Sequence, residues 1–178
     1  MLFRSNIGSG EMKLPGFINI DSCEETKPDL ICDVRKSILP FESSTVNEIY
    51  CIHNIEHIEL CFWPHVFTEF RRVLIDDGLL VLMYPEFEVC VDYFLNNKVG
   101  IRDFWRACLY GRQAYPGDYH VTPVISQELK NHLSHVGFKD IKYGPEDEQP
   151  QYSIMRAYKA KEMITKETLM RSEIFNLK

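Results

Sequence analysis

Three short stretches near the start of the chain carry groups that suit nucleotide binding. Gly8-Ser9-Gly10 allows a tight turn and a close approach of the backbone to a ligand, because glycine has no Cβ to clash. Asp21 and Asp33 each follow an apolar run. A carboxylate at a strand end can accept hydrogen bonds from the vicinal hydroxyls of a ribose, which is the role we predict for Asp21. Asp33 is placed to accept from an exocyclic amine of a base.

Three predicted strands position these groups, at residues 2–7, 17–21 and 30–33. The carboxyl ends of parallel strands in an open α/β sheet lie at one edge, where ligands bind. The glycine turn and both acids should therefore gather there. Two plainer interpretations stay open, since a lone Gly-x-Gly turn needs no ligand and acids also follow strands because they cap turns.

The later chain continues the alternation of strands and helices. We predict a buried strand at 49–52 and a helix that begins at Trp63-Pro64 and ends at 76–78. An apolar strand follows at 79–84, and a helix over 86–97. Ser126 is predicted to cap the last helix, and Gly137 to end it, before two strands at 138–143 and 152–158.

These stretches, in this order, resemble the class I S-adenosylmethionine-dependent methyltransferases. The first three read N-I-G-S-G, L-P-G-F-I-N-I-D and D-V-R-K-S-I-L-P-F. The later ones are I-Y-C-I-H-N-I-E-H, then F-R-R-V-L with D-D-G, and finally the V-G-F turn. The resemblance covers about residues 2–160 and is nearest to a type 11-like subgroup with a short N-terminus.

The resemblance implies a fold, a cofactor and a set of contacts. The fold would be α/β and Rossmann-like, with a mostly parallel seven-stranded sheet, helices on both faces and an antiparallel last strand. A methyltransferase domain would span 1–160, with 101–124 as a cover over the acceptor, followed by a helical tail at 161–178. The cofactor would be S-adenosyl-L-methionine. The contacts that it implies are Asn6, Gly8, Ser9, Gly10, Asp21, Asp33, Val34 and His53.

Two histidines are candidates for proton removal from the acceptor. Methyl transfer from a sulfonium requires donor and acceptor in line at close range, and many acceptors must also lose a proton, which histidine can take. His57 lies beside the cofactor edge, although its ring could instead hold the local structure. His120 lies in the aromatic cover. No Cys, His, Asp and Glu set shows metal-ligand spacing along the chain, so the sequence predicts no metal.

Two segments depart from simple α/β alternation. Only residues 11–16 separate the glycine turn from the next strand, whereas a parallel crossover needs about a dozen residues. The first helix should therefore be a turn or be missing. The segment 101–124 interleaves aromatic residues with arginines, which suits an acceptor cover, although the aromatics could simply pack on the core. The residues concerned are Phe104, Trp105, Tyr110, Tyr115 and Tyr119 with Arg102, Arg106 and Arg112.

Composition limits the class of protein. The chain has 178 residues, 45% of them hydrophobic and 26% charged, as in an ordinary soluble domain. The six cysteines form no C-x-x-C pair and most lie in apolar runs, which predicts buried free thiols in a reducing compartment. We expect a cytoplasmic protein. We see no signal peptide and no apolar run long enough to span a membrane. A net charge of −6 argues against a nucleic-acid partner.

Three functions remain at this point. The first is methyl transfer from S-adenosylmethionine to a small-molecule or glycan/lipid-precursor acceptor. The second is a nucleic-acid methyltransferase, which predicts a basic groove along 102–112. The third is a non-catalytic scaffold that keeps the fold. The intact cradle favours cofactor binding over the third. A dehydrogenase fits less well, because Lys13 stands where the third glycine of G-x-G-x-x-G would be. The sequence does not predict the oligomeric state.

Overall fold

The computed structural model describes residues 3–96, 102–114 and 117–161, and within them seven strands form one sheet. Its order is β3-β2-β1-β4-β5-β7-β6. Strands β1 to β5 are parallel, and β7 runs antiparallel to both β5 and β6. The mostly parallel sheet with an antiparallel last strand is confirmed. The strands are β1 Phe3–Ile7, β2 Ile18–Asp21, β3 Leu30–Ile31, β4 Val46–Ile52, β5 Leu74–Pro85, β6 Phe138–Pro145 and β7 Tyr152–Lys159.

Helices surround the sheet and close its core. They are α1 Trp63–Val73, α2 Phe87–Asn96, α3 Arg102–Tyr110 and α4 Ser126–His135, with short 3-10 turns at Glu24–Thr26, Ile55–His57 and Leu60–Phe62. The central strands bury Ile7, Ile49 and Leu82 completely, and Phe67 of α1 and Leu129 of α4 are equally buried. No helix in the described part of the chain is both long enough and apolar enough to cross a bilayer.

The structure corrects two predicted boundaries around α1 and β3. Helix α1 ends at Val73, and β5 begins at Leu74 rather than at 79. Asp77 has a φ of 58°, and the pairing of β5 with β4 is irregular here, so the acid pair lies inside a bulged strand instead of ending the helix. Strand β3 stops at Ile31, so Asp33 lies in the loop beyond it.

The prediction that Ser126 caps the last helix is wrong. Ile125 is the cap residue and makes no side-chain cap bond, while Ser126 is the first helical residue. The carboxylate of Glu86 takes the capping role, since the Ser126 backbone N–H donates to Glu86 Oε1 at 3.2 Å. The Ser126 hydroxyl also donates to Glu86. An acid from the neighbouring strand end therefore stabilises the start of α4.

The link between β1 and β2 contains turns and no helix over residues 8–17, as predicted. Two buried asparagines hold it. Asn6 Nδ2 donates to Asn19 Oδ1 and to the Met12 carbonyl, both at 3.0 Å. Asn19 Oδ1 also accepts from the Leu14 backbone N–H at 2.9 Å. Side-chain amides thus replace the backbone hydrogen bonds that a crossover helix would supply.

Candidate functional site

The glycine turn after β1 closes directly onto the acid at the end of β2. The Gly10 backbone N–H donates to Asp21 Oδ2 at 2.7 Å, and the Ser9 N–H donates to the Ile20 carbonyl at 3.0 Å. The second oxygen, Asp21 Oδ1, accepts from the Cys23 N–H at 2.8 Å. The fold therefore brings the predicted turn and the predicted ribose acceptor together at the carboxyl edge of the sheet.

Gly8 and Gly10 are required for different reasons. Both have a positive φ, 67° and 48°, which L side chains rarely adopt. A Cβ on Gly8 would lie 2.1 Å from Cγ of Asn54, so the Asn54 side chain fills the space that a side chain would need. A Cβ on Gly10 would meet nothing within 4 Å. Gly10 therefore faces open space, where a ligand could approach the backbone.

Lys13 places a positive charge on the same turn. Its Nζ donates to the Gly10 carbonyl at 2.6 Å and to Ser9 Oγ at 3.1 Å. A helix N-terminus carries about half a positive charge and commonly binds anions at this place in nucleotide-binding folds. Here no helix follows the turn, and the ammonium group of Lys13 supplies positive charge instead.

Asp33 is already engaged by a neighbouring arginine. Arg35 Nε donates to Asp33 Oδ1 and Arg35 Nη2 to Asp33 Oδ2, both at 2.9 Å. These hydrogen bonds from Arg35 are the largest cause that holds the pKa of Asp33 below its ordinary value. The carboxylate is thus ionised near neutral pH. An exocyclic amine would have to share it with Arg35, so the role predicted for Asp33 stays a prediction.

The other predicted cofactor contacts differ in how exposed they are. Asn6 and Ser9 are buried, and the Asn6 amide donates within the link. Val34 is 9% exposed and belongs to the core. His53 follows β4 with a φ of 50°, and its N–H donates to the Met83 carbonyl at 2.8 Å. The centroids of the His53 and Tyr152 rings are 4.5 Å apart, and the ring planes cross at 70°.

The turn after β4 joins the segment 117–125 through a group of polar contacts. Val121 N–H and Thr122 N–H both donate to the Glu56 carbonyl, at 2.9 and 3.2 Å. Thr122 Oγ1 donates to the Ile58 carbonyl at 2.7 Å. These bonds bring His120 beside His57, with ring centroids 4.9 Å apart and planes at 82°. The two histidines that the sequence singles out therefore share one site.

The two rings are held in the same way. His57 Nδ1 lies 2.9 Å from the Tyr119 carbonyl, and His120 Nδ1 lies 2.9 Å from the Cys108 carbonyl. A carbonyl only accepts, so each Nδ1 carries the proton and each Nε2 of a neutral ring keeps its lone pair. Burial is the main cause that lowers the pKa of His120, which favours the neutral ring.

Solved structures resemble this chain, whereas neither a family model nor a curated protein sequence matches it. An Archaeoglobus fulgidus S-adenosylmethionine-dependent methyltransferase matches 89% of this chain and 86% of its own, with a TM-score of 0.65 and 15% identity. A Thermotoga maritima protein, a possible histamine N-methyltransferase, matches 88% of this chain and 81% of its own, with a TM-score of 0.62 and 14% identity. A third match is Haemonchus contortus phosphoethanolamine N-methyltransferase 2, in complex with phosphomonomethylethanolamine and S-adenosylhomocysteine. It matches 90% of this chain and 49% of its own, with a TM-score of 0.56 and 11% identity.

The sheet order and these likenesses agree. The chain has the class I methyltransferase fold. In this methyltransferase fold the turn after β1 and the acid at the end of β2 occupy the edge where the sequence predicts a cofactor. At sequence identities of 11–15% these likenesses establish the fold, and they do not establish the substrate.

The predicted cover is described in part. Helix α3 and residues 111–114 and 117–124 form it, and the exposed aromatic side chains there are Phe104, Tyr110 and Tyr119. Residues 101 and 115–116, with Tyr115, lie outside the described part, as do the side chains of Arg102 and Trp105. The helical tail predicted for 161–178 lies outside it from residue 162 onward.

Sequence reasoning missed several residues that shape this methyltransferase-fold site. Asn19 belongs to a stretch that the sequence shows only as a strand. Its side chain links Asn6 to the Leu14 backbone, and this contact forms only when β1 and β2 pair. Asn54 faces Gly8 from the turn after β4, which no spacing along the chain reveals. The D-V-R run did contain a signal, because an arginine two residues after Asp33 is within easy reach of the carboxylate.

Proposed function

We propose that this chain binds S-adenosyl-L-methionine in the cradle of Gly8, Ser9, Gly10 and Asp21 and transfers a methyl group to a small-molecule or glycan/lipid-precursor acceptor. The observation that carries the proposal is the 2.7 Å hydrogen bond from Gly10 N–H to Asp21 Oδ2 at the carboxyl edge. It holds an ionisable acid next to a backbone segment that faces open space.

The cradle residues fit a nucleoside. Each Asp21 oxygen accepts one backbone hydrogen bond and keeps a further lone pair for a ribose hydroxyl. Gly10 presents bare backbone, and Lys13 offers a cation for the carboxylate of the amino-acid end. When bound, the cofactor would supply an electrophilic methyl group on a positively charged sulfur. The residues of this chain would orient it and exclude water.

The acceptor would be held under the cover formed by residues 102–124. His57 and His120 lie together beside the cover, so either imidazole could take a proton from a hydroxyl or an ammonium group. The small-molecule class is supported by the amines or amine derivatives in the names of the Thermotoga and Haemonchus proteins. The identity of the acceptor is for a substrate screen to establish.

Calorimetric titration with S-adenosylmethionine and S-adenosylhomocysteine tests the proposal. We expect the native chain to bind both, and Asp21→Ala to weaken binding about 10- to 100-fold, since a hydrogen bond to a charged group contributes roughly 1.5–3 kcal/mol. Asp76→Ala, an exposed acid at the opposite edge, is the matched control and should bind normally. A folded native chain that binds neither compound would refute the proposal and favour a scaffold.

A further inference from the structure

Glu56, His57 and His120 form a compact set of metal-ligand side chains. The ligand atoms that they can offer all lie within 4.8 Å of one another. Two of them come from the turn after β4 and the third from the cover, so the set exists only because the cover docks on that turn. Spacing along the chain, on which the sequence expectation of no metal rested, does not reveal it.

The carboxylate of this set lacks the partners that burial normally demands. Glu56 is 2% exposed, and its Oε2 has no hydrogen-bond partner among the described residues. Its Oε1 lies 3.6 Å from His53 Nδ1, beyond a normal hydrogen bond. Buried carboxylates are usually paired or bound to a metal, because an unpaired charge in the interior is costly. A buried carboxylate with an unpartnered oxygen, beside two imidazoles, is therefore a candidate ligand for a cation.

Both imidazoles are arranged as metal-binding histidines usually are. A ligand histidine generally donates one ring N–H to a backbone carbonyl or carboxylate, which fixes its tautomer and leaves the other nitrogen for the ion. His57 and His120 do this through the Tyr119 and Cys108 carbonyls, both at 2.9 Å. Neither carbonyl belongs to a flexible side chain, so the rings are pre-oriented by the backbone.

We propose that Glu56, His57 and His120 bind a divalent transition-metal ion, with zinc the first to test. Two imidazoles and one carboxylate suit zinc or iron, whereas magnesium and calcium prefer oxygen ligands alone. Ligand atoms around a tetrahedral zinc lie about 3.4 Å apart, given bonds of about 2.0–2.1 Å. The ligand atoms of the present set lie within 4.8 Å of one another, so an ion would draw them closer by up to about 1.4 Å.

The ion would keep an open side. Three protein ligands leave one position free in a tetrahedral site, and the two histidines are partly exposed while Glu56 is buried. That position would take an oxygen or nitrogen atom of the acceptor and lower the pKa of its proton. This second step rests on the methyl-transfer function proposed above, whereas metal binding itself does not.

Direct titration of the metal-free protein with Zn²⁺ tests the site, and Co²⁺ absorption reports its ligands. We expect one zinc per chain, and a loss of affinity above about 100-fold in His120→Ala, His57→Ala and Glu56→Gln, since even outer-shell changes cost about 10–100-fold. The control is His132→Ala on α4, which should bind as the native chain does. Circular dichroism and a melting curve must show that each variant is folded. If one of the three variants does not fold, the other two still test the site.

The outcomes separate this inference from the cofactor proposal. Equal zinc affinity in the native chain and the folded cluster variants would overturn it, as would thiolate bands in the Co²⁺ spectrum, which would assign the ion to cysteines. S-adenosylhomocysteine binding without specific zinc binding would refute the metal site alone. Zinc binding at the cluster without S-adenosylhomocysteine binding would refute the cofactor proposal alone.

Discussion

Glu69 and Glu56 are both buried glutamates, yet the fold satisfies only one of them. Glu69, 8% exposed, accepts from Arg72 Nε and Nη2, both at 2.8 Å, and from the Leu39 N–H at 3.0 Å. Glu56, 2% exposed, has one oxygen without a partner among the described residues and the other 3.6 Å from His53 Nδ1. The first lies near the amino edge of the sheet and the second at the carboxyl edge.

The difference separates a residue that holds the fold from one that waits for a ligand. The Glu69–Arg72 pair fixes the loop before β4, because Arg72 also donates to the Leu39 and Phe41 carbonyls. An orphaned buried oxygen costs about 1–3 kcal/mol. Such a cost is expected mainly at functional sites, where fold rules and function conflict. The two edges of one sheet thus divide stability from binding.

The largest expected effect is the loss of the satisfied glutamate. Glu69→Ala should lower the free energy of unfolding by about 3 kcal/mol at pH 7, because removing one partner strands the Arg72 charge and the Leu39 N–H. Urea denaturation measures this. Glu42→Ala, an exposed glutamate in the nearby loop, is the control and should change it by less than about 0.5 kcal/mol. Similar losses in the two variants would show that the pair does not hold the loop.

Low pH should reduce the stability that the ionised Glu69 contributes to the native chain. Hydrogen bonds from Arg72 are the main cause that lowers the pKa of Glu69. A depressed folded-state pKa contributes stability that is present above the unfolded value, about 4.3, and is lost as pH falls through the folded value. The gap between the native chain and Glu69→Gln should therefore be constant above about pH 6 and narrow below about pH 4. A gap that stays constant to pH 2.5 would contradict the ion pair.

Much of this fold can be predicted from sequence, because local patterns fix it. Apolar runs, the Pro64 helix start and the left-handed Gly137 all have local physical causes, and they lie where the pattern indicates. Boundaries were predicted less well where a distant group decides them. Glu86 caps α4 from another strand end, and the bulge at Asp77 depends on pairing with β4.

The candidate site divides in the same way. The meeting of Gly10 and Asp21 follows from the rule that parallel strands end at one edge, so the sequence predicts it. The contact of Asn54 with Gly8 and the orphaned Glu56 oxygen depend on side-chain packing between separate segments. His57 and His120 were predicted as candidates, but their shared site requires the cover to dock on the Glu56 carbonyl.

A pair of glycines gives a smaller test of the two edges. A Cβ on Gly78, in the amino half of β5, would lie 2.8 Å from the Ile75 carbonyl oxygen, a backbone atom that cannot rotate away. Gly78→Ala should cost about 2 kcal/mol of unfolding free energy, within the range for overpacking. Gly10→Ala should cost about 1 kcal/mol, from its positive φ alone.

Ligand binding should show the reverse order for the two glycines. Gly10→Ala puts a methyl group into the open space beside the turn, so it should weaken S-adenosylhomocysteine binding about 10-fold or more, whereas Gly78→Ala should leave the affinity of the folded fraction unchanged. Calorimetry on both variants, with melting curves, measures the two effects. Equal affinities would mean that no ligand contacts Gly10.

The smallest expected change in the free energy of unfolding is that of Glu56→Gln, which tests the comparison of Glu56 with Glu69. The lost charge has no strong partner to strand, so the free energy of unfolding without metal should change by less than about 1 kcal/mol. Excess zinc should then raise the melting temperature of the native chain and not that of Glu56→Gln, because an ion that binds only the folded state stabilises it. A loss as large as that of Glu69→Ala would instead make Glu56 a structural residue, and the division between the two edges would fail.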